Sequence, residues 1–199
     1  MPVLLWAARL ERPLTEEETS AMLVMLPAER RERLLRVQQP ERRREPLCAY
    51  FMLCRALWDQ YRWKELPEIA RTRQGKPYFP AFPQVHFNLS HTAGAVLVGL
   101  AGSPLGVDIE RIRPVSRRAM RRLAAADTEE DFFRSWVRRE ARSKRSGAGI
   151  AAMMHGETPM QYGECYYELD TFPGYAAGVA VRDRDRPGEV RRFFLDQLL

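Results

Sequence analysis

The chain lacks the long apolar run that a membrane-spanning helix requires, since no stretch of eighteen apolar residues occurs in its sequence. The segment from Met1 to Leu10 lacks the basic start and small-residue cleavage site of a secretory signal, so we expect a cytoplasmic protein without membrane partners. Cysteine is scarce: Cys48, Cys54 and Cys165 form an odd and dispersed set. Such a set predicts neither a disulfide framework nor a zinc site.

The composition is otherwise that of an ordinary globular protein, with 45% hydrophobic and 10% aromatic residues. A chain of 199 residues is long enough for one large domain or two small ones that share a core. The 32 basic residues exceed the 26 acidic ones, which gives a net charge of +6. This excess favours an anionic partner, which the charge alone leaves open as a nucleic acid, a nucleotide-like cofactor or an acidic protein.

The hydrophobic spacing predicts a mixed chain of helices and strands. Helical spacing from Leu47 to Tyr61 predicts a core helix, and Thr15 and Thr128 are predicted to cap two others. Strands are predicted at Val3 to Ala8, Val85 to Leu89, Ala95 to Ala101, Gly106 to Ile109, Cys165 to Leu169 and Tyr175 to Val181. Polar turns at residues 90–94 and 170–174 each precede a strand of small residues, which indicates either a duplicated α/β unit or two ordinary hairpins.

The most informative motif is a pair of carboxylates, Asp108 and Glu110, in a predicted strand. Because a strand alternates its side chains, both carboxylates project from one face and the apolar Val107 and Ile109 project from the other. Two like charges at this spacing repel each other unless a cation lies between them. The pair therefore predicts a Mg²⁺ site, and the alternative is a solvated strand edge.

Glu140 and Lys144 continue a helical stripe that begins with Phe132 and Trp136. The ordinary interpretation of such a pair is a surface ion contact. A stripe that starts with two aromatic residues faces inward, however, so Glu140 is expected to be partly buried and to need a partner. A metal shared with Asp108 and Glu110 would provide one.

Several other residues are candidates for binding an anion. Lys76 lies in a Gly-Lys-Pro turn, where its ammonium is available for a phosphate unless it is simply solvated. Ser90 and His91 follow an apolar strand and suit either a phosphate site or a hydrolase, although adjacent residues of an extended chain point apart. Positive charge is also concentrated at Arg30, Arg33 and Arg42 to Arg44, as a solvated face or an anion site.

Taken together, these motifs resemble those of the 4′-phosphopantetheinyl transferases. The similarity is greatest to the long, pseudo-dimeric type that activates surfactin synthetase, and it covers most of the chain. The motifs that carry it are Gly75-Lys76-Pro77, Phe87 to His91, Gly106 to Glu110, and Trp136 with Glu140 and Lys144. The segment between Pro114 and Phe132 is shorter than in that type, where the region helps engage the carrier protein, and Arg139 replaces the usual lysine.

This resemblance implies an α/β (α+β) fold of two similar halves, residues 1–103 and 104–199, with coenzyme A between them. The implied reaction moves the phosphopantetheine arm of coenzyme A to a serine of an acyl or peptidyl carrier protein. The resemblance further implies a metal-binding set, a catalytic set and a coenzyme A-binding set: Asp108, Glu110 and Glu140 for Mg²⁺, Glu140 and Lys144 for catalysis, and Arg30, Arg33, Arg44, Lys76, Ser90 and His91 for coenzyme A.

Two alternatives stay open at this stage. A weakly active or inactive relative would bind coenzyme A or a carrier protein without transfer, as the shortened segment suggests. A nucleic-acid-binding protein would use the arginine run, but the aromatic residues near that run lie on a predicted core helix instead of an exposed face. We therefore expect a monomeric enzyme that acts on a carrier protein and does not bind nucleic acid.

Overall fold

The computed structural model describes residues 2–149, 159–182 and 184–199. The order of elements alternates strands with helices along the chain. The strands are β1 (Val3–Arg9), β2 (Ala70–Arg71), β3 (Pro77–Tyr78), β4 (His86–Thr92), β5 (Ala95–Ala101), β6 (Gly106–Arg111), β7 (Glu164–Glu168), β8 (Tyr175–Arg182) and β9 (Pro187–Phe194). The helices are α1 (Glu16–Val24), α2 (Ala28–Leu35), α3 (Arg44–Tyr61), α4 (Arg117–Ala124), α5 (Glu129–Ser146) and α6 (Leu195–Leu198), with a 3₁₀ turn at Pro40–Arg43.

The first unit is a four-stranded sheet with the order β4-β5-β1-β9, covered by α3. Its strands bury both faces: Trp6 and Ala8 of β1 pack in the core that includes α3, whereas Leu5 and Ala7 pack in a second core beneath. All seven residues of β5 are buried. A strand covered on both sides has no need of polar alternation, which explains why β5 is apolar throughout.

The second unit is a three-stranded sheet with the order β6-β8-β7, covered by α5. Val107 and Ile109 of β6 and Val179 of β8 are buried in the core that they share with the first sheet. The opposite face contacts α5, where Phe133 and Val137 pack with Ala176. The layers therefore run from α3 through the two sheets to α5, and the mixed α+β class predicted from the sequence is confirmed.

The two units repeat one pattern of elements. In the first unit, β5 lies between β4, its hairpin partner, and β1. In the second unit, β8 lies between β7, its hairpin partner, and β6. All four pairings are antiparallel. Helices α3 and α5 are each 18 residues long. The predicted division at residues 103 and 104 stays a prediction, and β9 crosses it because it pairs in parallel with β1.

Glycine permits the closest approach between a helix and a strand in the second unit. A Cβ atom added to Gly106 would lie 2.0 Å from the carbonyl oxygen of Ala141 and 2.3 Å from the amide nitrogen of Arg145. Both atoms belong to the backbone of α5, which cannot move aside as a flexible side chain can. The absence of a side chain at Gly106 therefore sets how near α5 lies to β6.

The structure corrects the predicted turn at residues 90–94. Strand β4 continues to Thr92, and Thr92 pairs with Ala95 across a two-residue turn of Ala93 and Gly94. Ser90, His91 and Thr92 thus belong to the strand, and Gly94 has a φ of +78°, which glycine adopts without strain. The polar side chains made this part of the strand resemble a loop. Their hydrogen bonds to the second unit explain why they are tolerated there.

Local signals at helix ends and cysteines agree with the predictions. Thr15 and Thr128 cap α1 and α5, accepting hydrogen bonds from the amides of Glu18 and Asp131. All three cysteines are free, and burial raises the pKa of Cys48 to about 12. No helix in the described part of the chain has both the length and the apolar character needed to cross a bilayer.

Candidate active site

Asp108 of the carboxylate pair contacts α5, on the face of β6 opposite to its apolar neighbours. Val107 and Ile109 lie in the core between the sheets, whereas Asp108 forms an ion pair with Lys144 of α5. Asp108 is 1% exposed, and its Oδ1 atom lies 2.6 Å from the Nζ atom of Lys144. A solvated strand edge is therefore excluded for Asp108. A buried carboxylate in this setting requires the ammonium that α5 supplies.

Lys144 joins three side chains from three elements. Its Nζ donates to Asp108 on β6 at 2.6 Å and to the Oγ atom of Ser90 on β4 at 3.0 Å. It also lies 3.4 Å from the Oε2 atom of Glu140, one turn earlier on α5. Although burial opposes the charged form, the carboxylates of Asp108 and Glu140 raise the pKa of Lys144 above its ordinary value. The ammonium therefore stays charged at neutral pH.

Glu140 has a fixed orientation, and its negative charge is only partly neutralised by its neighbours. The indole Nε1 atom of Trp136 donates to its Oε1 atom at 2.9 Å. Burial, followed by the charge of the nearby Asp108, raises the pKa of Glu140 to about 7, and the positive charge of Lys144 only partly opposes this shift. Partial burial of the stripe that includes Trp136 and Glu140 was predicted and is confirmed. A carboxyl group with a pKa near neutrality is suited to accept a proton.

Glu110 lies at the outer end of the same strand. Its Oε2 atom accepts hydrogen bonds from the Oγ1 atom of Thr92 and from the guanidinium of Arg113, both at 3.0 Å. Its negative charge contributes to the raised pKa of Glu140, which means that the three carboxylates influence one another. In the described part of the chain, Lys144 pairs with Asp108 and Glu140, and the exposed Arg113 pairs with Glu110.

These carboxylates carry the oxygen donors that a divalent cation prefers. Within residues 2–149, 159–182 and 184–199, no three His, Cys, Asp or Glu side chains are arranged to hold a metal ion. The donor set is nevertheless suitable: all ligands would be oxygens, and the buried Oδ2 atom of Asp108 has no hydrogen-bond partner. Burial is the largest cause of the raised pKa of Glu140, and the negative charges of Asp108 and Glu110 add to it. The donor chemistry of these residues therefore suits a hard cation such as Mg²⁺, while the described side chains are not arranged as a metal site.

A cleft of about 300 Å³ opens beside these residues. Tyr50 of α3 and Leu89 of β4 line it on the side of the first unit, and Glu140 and Lys144 line it on the side of the second. The cleft is also lined by Arg71, Lys76 and His91. Burial, followed by the charge of Lys144, lowers the pKa of His91, so the positive charge of the walls comes from the arginine and lysine side chains. A cavity between two units with positive charge along its walls is suited to a polyanionic ligand.

Lys76 is more constrained than the sequence suggested. Its Nζ atom donates to the carbonyl oxygens of Arg145 at 2.6 Å and Leu105 at 3.2 Å. Burial, followed by the charge of Arg145, lowers the pKa of Lys76 to about 8. The ammonium thus binds the C-terminal end of α5 and joins the two units, while its side chain lines the cleft.

The predicted arginines do not line this cleft among the described residues, although Arg30 donates to the hydroxyl of Tyr50 in its wall at 3.5 Å. Arg30 is buried and donates to the carbonyl oxygen of Ile69 at 2.8 Å. Arg44 donates to Glu45 at 2.6 Å and lines a separate cavity of about 630 Å³, and Arg33 is exposed at the end of α2. In the described part of the chain the cleft is lined by none of the three. Their contact with coenzyme A stays a prediction.

The sequence did not point to Thr92, Asn88 or Arg71. One signal was available, because Asn88, Ser90 and Thr92 alternate with other residues and so occupy one face of β4. Asn88 and Ser90 are buried, and buried polar side chains need partners. Arg71 gave no such signal, since it lines the cleft only because β2 pairs with β3.

Comparison with known proteins gives the geometry a context. No family model matches the chain. It is 26% identical to the 4′-phosphopantetheinyl transferase Sfp of Bacillus subtilis (strain 168) over 219 aligned residues, which cover 96% of this chain and 97% of that protein. It is 29% identical to the 4′-phosphopantetheinyl transferase psf-1 of Bacillus pumilus, with 61% of this chain and 53% of that protein covered.

A further match is the 4′-phosphopantetheinyl transferase AcpT of Salmonella typhimurium, which is 35% identical over 55% of this chain and 62% of that protein. These three relatives, each named a 4′-phosphopantetheinyl transferase, therefore match between 55% and 96% of this chain. The relationship predicted from the sequence motifs is confirmed. The chain is a relative of the 4′-phosphopantetheinyl transferases of the Sfp type.

Proposed function

We propose that this protein transfers the 4′-phosphopantetheine arm of coenzyme A to a serine of an apo acyl or peptidyl carrier protein. The observation that carries the proposal is the convergence of Asp108, Glu140 and Lys144 beside a basic cleft in a chain related to such transferases. Attack by the serine oxygen on the phosphorus of the arm forms a new phosphodiester. The pyrophosphate bond breaks, and adenosine 3′,5′-bisphosphate leaves.

Each residue of the cluster has a defined task in this reaction. Glu140, whose orientation is fixed by Trp136, accepts the proton of the carrier serine directly or through water. Lys144 remains protonated and neutralises the negative charge that develops on the transferred phosphoryl group. Its contact with Asp108 holds the ammonium in position, so Asp108 also supports catalysis by orienting Lys144.

Asp108, Glu110 and Glu140 would hold Mg²⁺, which would neutralise the pyrophosphate of coenzyme A. The unpartnered Oδ2 atom of Asp108 supports this assignment. Lys76, Ser90 and His91 are proposed to contact the phosphates of coenzyme A, and the position of Lys76 and His91 in the cleft supports their part. Arg30, Arg33 and Arg44 are proposed to serve the region of the 3′-phosphate.

The repeated order of elements supports a further interpretation, that the two units form a pseudo-dimer with coenzyme A in the cleft between them. Such a chain contains both halves of its site, so we propose that it acts as a monomer. A cytoplasmic location fits a substrate such as coenzyme A. The excess of basic residues suits an acidic carrier protein.

The decisive experiment is incubation with coenzyme A, Mg²⁺ and a panel of apo acyl and peptidyl carrier proteins, read by mass spectrometry of the carriers. We expect at least one carrier to gain the phosphopantetheine mass, and a carrier whose modified serine is replaced by alanine to gain none. Glu140→Gln should slow transfer by about 10²- to 10⁴-fold, because it removes the proton acceptor and keeps the shape.

The exposed Glu189 on β9 offers a matched control, and Glu189→Gln should transfer at the rate of the unmodified protein. Binding of coenzyme A without transfer to any carrier would favour the alternative of an inactive relative. Equal rates for Glu140→Gln and Glu189→Gln would refute the role of Glu140.

A further inference from the structure

The two units meet through a row of hydrogen bonds between β4 side chains and the β6 backbone. The amides of Val107, Ile109 and Arg111 donate to the side-chain oxygens of Asn88 at 2.8 Å, Ser90 at 3.3 Å and Thr92 at 3.4 Å, respectively. The separation along the chain is 19 residues in each case. Because the three separations are equal, the register between β4 and β6 is constant across this contact.

This row occupies the free edge of β6. Strand β8 pairs with β6 on one side only, so alternate amides of β6 face away from β8 and need other acceptors. An ordinary neighbouring strand would supply carbonyl oxygens, whereas β4 supplies side chains. Consequently the position of β6 depends on the identity of the β4 side chains and would change with them.

Two of the side chains also bind the carboxylates of the site. The Oγ atom of Ser90 donates to the Oδ1 atom of Asp108 at 2.7 Å, and the Oγ1 atom of Thr92 donates to the Oε2 atom of Glu110 at 3.0 Å. Both contacts span 18 residues. A hydroxyl has one proton to donate and lone pairs to accept with, so each hydroxyl joins a backbone amide to the carboxylate next to it.

Thr92 is the member of this row that can be tested separately. Ser90 also accepts a hydrogen bond from Lys144, which makes it part of the catalytic cluster. Thr92 instead contacts the carboxylate of Glu110 and the amide of Arg111. Its replacement removes one of two hydrogen bonds to the Oε2 atom of Glu110, the other of which comes from Arg113, and does not remove a partner of Lys144.

We propose that Asn88, Ser90 and Thr92 hold β6 in register against β4, and that Thr92 is the positioning residue that orients the Glu110 carboxylate toward a divalent cation. The second part rests on the proposed function, because that function supplies the reason for a cation at Glu110. Groups that orient a metal ligand typically change metal affinity about 10- to 100-fold when they are removed.

The test compares Thr92→Val, which keeps the shape and the strand preference, with Thr92→Ser, which keeps the hydroxyl. Mg²⁺ binding is measured by calorimetry on the full chain with coenzyme A present and no carrier protein, so no turnover is needed. We expect Thr92→Val to weaken Mg²⁺ binding about tenfold or more, equivalent to about 1.4 kcal/mol, and Thr92→Ser to remain within about twofold of the unmodified protein.

Amide hydrogen exchange gives a second readout that does not depend on the metal. The amide of Arg111 should exchange faster in Thr92→Val than in Thr92→Ser, since the valine removes its acceptor. In a Glu110→Gln background, Thr92→Val should have little further effect on Mg²⁺ binding, because the two residues act through one contact. If valine instead loosened the structure in general, Thr92→Val would still weaken Mg²⁺ binding in this background.

The outcomes separate this inference from the proposed function. Unchanged Mg²⁺ affinity and unchanged exchange in Thr92→Val would overturn it even if the enzyme transfers phosphopantetheine normally. An absence of Mg²⁺ binding in the unmodified protein would overturn the role of Thr92 toward a cation. A loss of Mg²⁺ affinity and protection in Thr92→Val alone would support it, even if no carrier protein were modified.

Discussion

Replacing Glu140 by glutamine tests the electrostatics of the site without requiring a substrate. The variant retains the acceptor oxygen for the indole of Trp136 but carries no charge at any pH. In the metal-free protein, burial and the charge of Asp108 raise the pKa of Glu140 from 4.5 to about 7. Each unit of pKa corresponds to about 1.4 kcal/mol, so the ionised side chain destabilises the fold by about 3 kcal/mol.

The sign of the pH dependence follows from this shift. The native state holds the proton of Glu140 more tightly than the unfolded chain does, so the free energy of unfolding falls as the pH rises from about 4.5 to about 7. Below this interval both states are protonated and no penalty exists. We therefore expect Glu140→Gln to be more stable than the unmodified protein by about 3 kcal/mol near pH 8, and equally stable near pH 4.5.

The assay is urea unfolding followed by circular dichroism, in a chelating buffer, at several pH values between about 5 and about 8. Glu189→Gln, at an exposed position on β9, should differ from the unmodified protein by the same small amount at every pH. Added Mg²⁺ should stabilise the unmodified protein near pH 8 more than it stabilises Glu140→Gln. A stability difference for Glu140→Gln that does not change with pH would refute the reasoning.

Two further substitutions test the packing and the charge pairing that hold the cluster. Gly106→Ala places a Cβ atom 2.0 Å from the carbonyl oxygen of Ala141, so it should lower the free energy of unfolding by about 2 kcal/mol or more. The control Gly188→Ala, whose Cβ would lie 3.6 Å from its nearest neighbour, should lower it far less. Equal losses in the two variants would contradict the close approach of α5 to β6. Lys144→Ala leaves the buried Asp108 without its ammonium and should lower the free energy of unfolding in urea by about 3 kcal/mol. Adding Asp108→Asn in a double variant should restore part of this stability. If the losses of the two single variants simply add in the double variant, the pair is not coupled.

Local periodicity explains what could be predicted. The alternation of Val107, Asp108, Ile109 and Glu110 predicted which side chains face the core, and the structure confirms it for the two apolar residues and for Asp108. The helical stripe that ends at Lys144 likewise predicted an inward-facing segment of α5. Both predictions depend only on the geometry of one element, which its own sequence determines.

Contacts between distant segments account for what was missed. The polar residues of β4 resembled a turn because their acceptors serve amides of β6, which lie 19 residues away along the chain. Lys76 resembled a free turn lysine, but the carbonyl oxygens that bind it include that of Arg145, 69 residues further on. Strand β9 is rich in charged residues and was not predicted, because its pairing with β1 is determined by the tertiary fold.

A single imbalance of charge connects the main features of the site. Lys144 is shared between two carboxylates, and its contact with Asp108 at 2.6 Å is much shorter than its contact with Glu140 at 3.4 Å. Glu140 is therefore only partly neutralised, and burial, which is the larger cause, acts with the charge of Asp108 to raise its pKa. Because Thr92 and Arg113 hold Glu110 at the end of the same strand, a cation that relieves this imbalance would contact carboxylates already oriented toward it. A proton on Glu140 and a cation at the cluster both relieve the same negative charge, so each is expected to oppose the other, and a substitution that changes one is expected to change the other.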